Sequence, residues 1–260
     1  MPFDLALDEV HCWSVPLDAS PNTLAVLFET LTDDERARAA RLRFERDRRR
    51  FIVARATLRE LLGRYVGTPP DQVRFAYTAF GKPKLTPEFG GPHCIKFNLS
   101  HSADLALIAV AWDAEIGVDV EHIRPSDYTD LARSSFAPSE IAQLRAAPRH
   151  LQARAFFNSW TRREAYAKAR GESLPDGPVE PRGQWTFFSL EPAAGYIGAV
   201  AVERNGRGPS YATPYPQRWY GRYSLSRFAL ITSSVDVRAA VTAIPRPTES
   251  LARLRAQRRA

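Results

Sequence analysis

The stretch "FFNSWTRREAYAKARGE", residues 156–172, decides how this chain is read, because it holds more than a helix with one buried face requires. Trp160, Glu164 and Lys168 stand four residues apart. On an α-helix they climb one side with about 40° of drift per step. The pattern predicts a long helix from about His150 to Arg170, with Gly171 closing its C-terminus. Taken alone, Glu164 and Lys168 make a solvated i, i+4 ion pair stabilising by about 0.3–0.5 kcal/mol. Their meaning comes from what stands upstream.

"GVDVE", residues 117–121, is a short strand in which Asp119 and Glu121 share one face and Val118 and Val120 the other. Two carboxylates on one face repel, and are kept either in open solvent or around a hard cation. The preceding "LALIAVAW" is a continuous apolar strand, which puts the acids at the edge of a core, and the pair reads as a hairpin across the "DAE" turn. "FNLSHS", 97–102, runs from a strand into Ser100 and His101, a hydroxyl and an imidazole suited to phosphate oxygens. No Gly-x-Ser-x-Gly frame surrounds Ser100, which argues against a hydrolase nucleophile. "GKP", 81–83, adds a flexible glycine, a cation and a rigid proline.

Charge is unevenly placed. Between Glu35 and Arg64 stand eleven arginines against four acids, an excess equal to the net charge of the whole chain, +7. Such a cluster invites phosphate, in a nucleic acid or a small polyphosphate. Four lysines against 32 arginines also betray an arginine-favouring composition, so many of these side chains are solvated surface. A nucleic-acid binder would leave Asp119, Glu121 and Glu164 unexplained, since acids repel a polyanion unless a cation sits among them.

The 260 residues, 44% hydrophobic and 25% charged, are ordinary for a globular protein, with no apolar run near the roughly 20 residues of a membrane span. Cys12 and Cys94 are too few for a disulfide scaffold and lack metal-type spacing, so a reducing cytoplasm is expected. A strand at 10–17, a short helix capped by Asn22, a helix opened by "TDDE", and an amphipathic helix from Asp47 to Tyr65 with Phe51, Ala54, Leu58 and Leu61 on its buried stripe follow in order. "VRFAYTAF" reads as a strand and "GKPKLTPEFGGPH" as loop. Helices are expected at 127–133 and 138–147, then strands in "GQWTFFSL", "YIGAVAVE" and "RFALITSSV". "DLALIAVAW" and "GYIGAVAVE" echo each other weakly, as two similar α/β halves joined near residue 114 would.

In this order the arginine-rich helix, "GKP", "FNLSHS", "GVDVE" and "WTRREAYAKARGE" resemble the 4'-phosphopantetheinyl transferases of the broad-specificity, surfactin-synthetase-activating type, over roughly residues 35–175. The resemblance implies an α/β (α+β) fold of two similar halves related by a pseudo-twofold axis: 1–114, 115–240, and a basic tail at 241–260. It implies a cytoplasmic monomer with no nucleic-acid or membrane partner. This enzyme would move the phosphopantetheine arm of coenzyme A onto a serine of an acyl or peptidyl carrier protein domain, in fatty-acid, polyketide or nonribosomal peptide synthesis, and release adenosine 3',5'-bisphosphate. The alternative is an inactive coenzyme A or nucleotide-binding sensor.

By motif match Asp119, Glu121, Glu164 and Glu140 would surround Mg2+, with Mn2+ as a substitute. Glu164, Lys168 and His101 would be catalytic. Lys82 and Pro83 would lie along the nucleotide. Ser100, His101, Asp119 and Lys168 would sit at the diphosphate, and Arg46, with Arg38 and Arg50, at the 3'-phosphate. One departure is Arg163, where the family typically has lysine; its guanidinium keeps the charge but changes the donor geometry.

Overall fold

The computed structural model describes residues 3, 5, 9–89, 94–124, 128–175, 177–204 and the strand at 229–234. The tail expected at 241–260 lies outside these. Strand β1 (Glu9–Pro16) leads into α1 (Pro21–Glu29), α2 (Asp33–Ala40) and the long α3 (Glu45–Val66). The cap of α1 is Ser20 and not Asn22: its hydroxyl accepts from Thr23 N at 3.2 Å. Pro21 occupies the first helical turn, where its missing N–H costs nothing, and so moves the boundary one residue before itself. Thr32 precedes α2, and Glu35 turns back to accept from Thr32 N at 3.0 Å.

In α3, Ala54, Leu58 and Leu61 are buried as the stripe predicts. Two of its arginines, however, are structural. Arg59 is buried and donates to Glu35 Oε2 at 2.6 Å and to the carbonyls of Pro70 and Val73 at 2.8 and 2.9 Å, while Arg55 pairs with the same carboxylate. Burial alone would raise the Glu35 pKa, but the Arg59 hydrogen bond and the Arg55 charge outweigh it and hold it low. Part of the sequence's positive excess is therefore spent inside the fold.

A small ribbon pairs β2 (Phe75–Tyr77), inside the strand expected in "VRFAYTAF", with β3 (Pro83–Leu85), inside the stretch expected to be loop. Next come β4 (Ile95–Ser102), β5 (Leu105–Trp112) and β6 (Ile116–His122), then α4 (Thr129–Ser135), α5 (Pro138–Ala146), α6 (Arg149–Arg170), β7 (Trp185–Leu190), β8 (Tyr196–Glu203) and β9 (Ala229–Ser234). One sheet has the order β4-β5-β1-β9, with β1 and β9 parallel and the other pairs antiparallel. The other has the order β6-β8-β7 and is antiparallel throughout. The class is mixed α/β, as expected. Helices α3 and α6 each end on a glycine with positive φ, Gly67 and Gly171.

The expected hairpin between β5 and β6 does not form. Both edges of β5 are taken, by β4 and β1, and β6 pairs with β8 instead. β5 is apolar on both faces and β6 is apolar on one, with Asp119 and Glu121 on the other; neither pattern marks the partner strand, and the Asp113–Glu115 link carries the chain from one sheet to the other.

The two sheets meet along a seam. Edge strands β4 and β6 lie side by side, bridged by side chains of β4. Asn98 Oδ1 accepts from Val118 N at 2.9 Å, Ser100 Oγ donates to Asp119 Oδ1 at 2.8 Å, and Ser102 Oγ donates to Glu121 Oε2 at 2.8 Å while accepting from His122 N at 3.2 Å. The numbers rise together, so the strands run in one direction. Because side chains alternate, the same face of β4 supplies Asn98, Ser100 and Ser102, all buried. These three polar groups satisfy a line of buried donors and acceptors that would otherwise be costly.

Helix α6 lies on β6 and β8. The approach is close enough that a Cβ on Gly117 would stand 2.0 Å from Ala165 O and 2.3 Å from Ala169 N. Ala165 and Ala169 sit in the turns that also carry Glu164 and Lys168. The smallness of three residues thus sets how near the helix comes to the strand.

Candidate active site

The seam and α6 together hold the carboxylates. Asp119, 3% exposed, accepts from Ser100 Oγ and from the Lys168 ammonium, which also donates to Ser100 Oγ at 3.0 Å. The strand's acid and the helix's ammonium, distant in sequence, are hydrogen-bonded in the fold. Burial raises the Asp119 pKa, against the lowering pull of Lys168 and of the Ser100 hydrogen bond. Glu121 is raised first by burial, with the Ser102 hydrogen bond opposing and the Asp119 charge adding. Glu164 is raised by burial, lowered by Lys168, and raised again by Asp119 and Glu121. Glu121 therefore feels Asp119, and Glu164 feels both, with Lys168 the one cation among the described residues that all three share.

Such a cluster is short of positive charge. The Asp119 Oδ2 atom is buried with no hydrogen-bond partner among the described residues. Carboxylate oxygens alone make a donor set for a hard divalent cation, Mg2+ or Mn2+. The chemistry of these donors suits such an ion, while no group of three His, Cys, Asp or Glu side chains among the described residues is arranged to hold one.

Glu140 has other partners than this cluster. Its Oε2 accepts from Ala137 N at 2.8 Å, capping α5, and from the Arg163 guanidinium at 3.2 Å. Arg163 is 1% exposed, lies over the Phe136 ring at 4.9 Å and donates to Gly177 O at 3.3 Å. The residue beside Glu164 is thus a buried strut joining α5 and α6. Trp160, the indole on the line of Glu164 and Lys168, stacks on Phe156 at 6.0 Å, and Phe156 on Tyr128 at 4.8 Å.

His101 points from β4 to the opposite side from Ser100 and is exposed. Its pKa is lowered by partial burial, then by the charges of Lys168 and Arg50. The imidazole is therefore within reach of charge from Lys168 of α6 and from Arg50 and Asp47 in the N-terminal turns of α3. There an open cavity of about 580 Å³ is lined by Leu17, Asp18, Arg46, Arg49, Arg50 and Asp104. Arg46 is exposed at its lip, Arg50 is paired with Asp104, and Arg49 donates to Ala19 O at 2.7 Å. Arg38 is not among the lining residues; its guanidinium lies over the Phe51 ring at 5.5 Å.

Lys82, expected along a nucleotide, is turned inward. Its ammonium donates to Glu115 Oε2 and Ile116 O, both at 3.1 Å, and to Ala169 O at 2.6 Å. Pro83 opens β3 beside it.

Sequence reasoning passed over Asn98, Ser102, Arg49 and Asp104. For the first two the signal was present, in the period of two that Asn98, Ser100 and Ser102 keep along "FNLSHS". For Arg49 and Asp104 there was none, because their proximity depends on the β4–β5 turn meeting α3.

The family model described as "4'-phosphopantetheinyl transferase superfamily" matches residues 115–208, and that described as "4'-phosphopantetheinyl transferase, N-terminal" matches 16–113. The chain is 41% identical over 221 residues to the 4'-phosphopantetheinyl transferase HetI of Nostoc sp., covering 80% of this chain and 93% of that one. It is 31% identical to a phosphopantetheinyl transferase of Thraustochytrium sp., covering 65% of this chain and 63% of the other. It is 35% identical to the 4'-phosphopantetheinyl transferase AcpT of Escherichia coli, covering 48% and 60%.

Proposed function

Since the chain belongs to the 4'-phosphopantetheinyl transferase superfamily, we propose that its α6–β6 junction carries the transfer of phosphopantetheine from coenzyme A to a carrier-protein serine. The enzyme is a transferase that converts apo carrier to holo carrier, with coenzyme A as co-substrate. The observation that supports this placement is the hydrogen-bonded set Lys168–Ser100–Asp119, with Glu164 beside it and His101 leading toward an arginine-lined cavity.

In this reading the diphosphate lies over the seam and the 3'-phosphate in the cavity of Arg46, Arg49 and Arg50. Asp119, Glu121 and Glu164 would hold Mg2+ or Mn2+, which when bound neutralises charge on the diphosphate. Glu164 takes the proton of the incoming serine. The serine oxygen bonds to the pantetheine-side phosphorus as the bond to the bridging oxygen breaks, and adenosine 3',5'-bisphosphate leaves with the electron pair. Lys168 and His101 meet the negative charge that gathers on the leaving phosphate. Glu140 contributes through Arg163 by fixing α5 against α6. The family's lysine position is thereby relieved of any proton transfer here.

Mass spectrometry of an apo carrier protein incubated with the enzyme, coenzyme A and Mg2+ tests the assignment. The carrier is expected to gain one phosphopantetheine; a carrier left unmodified by enzyme that binds coenzyme A would mean a sensor. Fatty-acid, polyketide and peptide carriers run side by side report which the enzyme serves.

The cavity gives a separate prediction. Coenzyme A should be preferred to its 3'-dephospho form, and the double variant Arg46→Ala, Arg49→Ala should lose about tenfold of that preference in kcat/KM, the scale of one charge-assisted hydrogen bond. An unchanged ratio would place the 3'-phosphate elsewhere.

A further inference from the structure

We propose that Lys82 is a positioning residue for the transfer: its ammonium locks the C-terminal end of α6 to the start of β6, and so sets where Glu164, Lys168 and Asp119 meet. The proposal rests on the reading of the α6–β6 junction as the site of transfer. An ammonium has three donors, and Lys82 gives them to three acceptors on two elements: Ala169 O on α6, and Glu115 Oε2 and Ile116 O at the entry to β6. Ala169 O belongs to the last helical turn, whose carbonyls lack intrahelical partners and where a cation is favoured. Its residue directly follows Lys168, and Ile116 stands three before Asp119.

Local structure delivers the lysine to this place. Thr78 holds it at both backbone groups, with Thr78 N donating to Lys82 O at 2.9 Å and Lys82 N donating to Thr78 Oγ1 at 3.1 Å. The stem of the lysine passes beside Gly171, where a Cβ would stand in ordinary contact, 3.5 Å from Lys82 Cδ. Glu115 keeps a second partner, Lys96 at 2.9 Å, so it is not an ion that Lys82 alone must neutralise. Among the described side chains, Lys82 alone is seen to donate to the two carbonyls, one on the helix and one on the strand. With the side chain only 12% exposed and its donors engaged, the ammonium faces the protein and not a nucleotide.

The test compares Lys82→Met and Lys82→Arg with the wild type in kcat, KM for coenzyme A, affinity for adenosine 3',5'-bisphosphate by calorimetry, and amide exchange over residues 165–171. A positioning role predicts that Lys82→Met binds the bisphosphate within about twofold of wild type, loses on the order of 10- to 100-fold in kcat, and exchanges faster over 165–171. Lys82→Arg, which keeps the charge at the helix end, should recover part of the lost kcat. A drop of about tenfold in bisphosphate affinity with kcat retained would make Lys82 a ligand contact and overturn the proposal. A wild-type kcat in Lys82→Met would overturn it equally. Should Lys82→Met fail to fold, bisphosphate affinity of Lys82→Arg decides: within about twofold supports positioning, about tenfold weaker refutes it. If wild-type enzyme modifies no carrier, the proposed function has failed, and the exchange comparison still reports whether Lys82 holds α6.

Discussion

Glu164→Gln should reduce transfer by a factor on the order of 10² or more while leaving coenzyme A affinity nearly intact, since general base help is typically worth 10²–10⁴. The substitution is nearly isosteric, so α6 is expected to keep its packing. What it removes is a charge. Glu164 is half-buried and lies within the field of Asp119 and Glu121, which together with burial raise its pKa, while Lys168 pulls it down. A carboxyl in that balance can both accept the serine proton and contribute to cation binding, and the amide can do neither well. Both losses fall in kcat, because the arginine cavity and His101 are untouched. The check is steady-state kinetics with a carrier as acceptor, beside calorimetry with coenzyme A. A variant within about threefold of wild-type kcat would remove Glu164 from proton transfer.

Gly117→Ala is expected to be as damaging, from two residues away in sequence and without touching any ligand. The new Cβ would lie 2.0 Å from Ala165 O and 2.3 Å from Ala169 N, both backbone atoms of α6 that no rotamer change can move aside. Helix and strand must separate. Overpacking of this kind costs about 1–3 kcal/mol, and a displacement near 1 Å at the reacting groups can cost on the order of 10²-fold in rate. The expected result is a folded protein with a lowered melting temperature and a kcat reduced by about 10²-fold. Full activity in Gly117→Ala would mean that the spacing of α6 from β6 does not set the site.

How far the sequence could be read follows from which properties are local. Helices α3 and α6 were legible because their stripes, and the glycine after each, are written within about twenty residues. That Asp119 and Glu121 share a face was legible from strand alternation alone, and both meet serines of β4. The pairing of β5 was not: "LALIAVAW" is buried along nearly its whole length and fits two neighbours equally, and its neighbours are β4, just before it across the Ala103–Asp104 turn, and β1, almost a hundred residues upstream. Motif matching named Lys82 and Glu140 by residue type, yet their partners, Ala169 O for one and Arg163 for the other, are settled by packing. The arginine cluster was legible as an excess of charge and not as individuals. Arg59 and Arg55 are held by Glu35 inside the fold, while Arg46 reaches the cavity lip, and only burial separates them.

Anomalous scattering from crystals grown with Mn2+ and coenzyme A tests the central claim most directly. One peak is expected among the carboxylates of Asp119, Glu121 and Glu164, with oxygen distances near those of a small octahedral cation, about 2.1 Å, and with the diphosphate against Lys168. Manganese seated elsewhere, with coenzyme A bound and these three carboxylates left without it, would contradict the account.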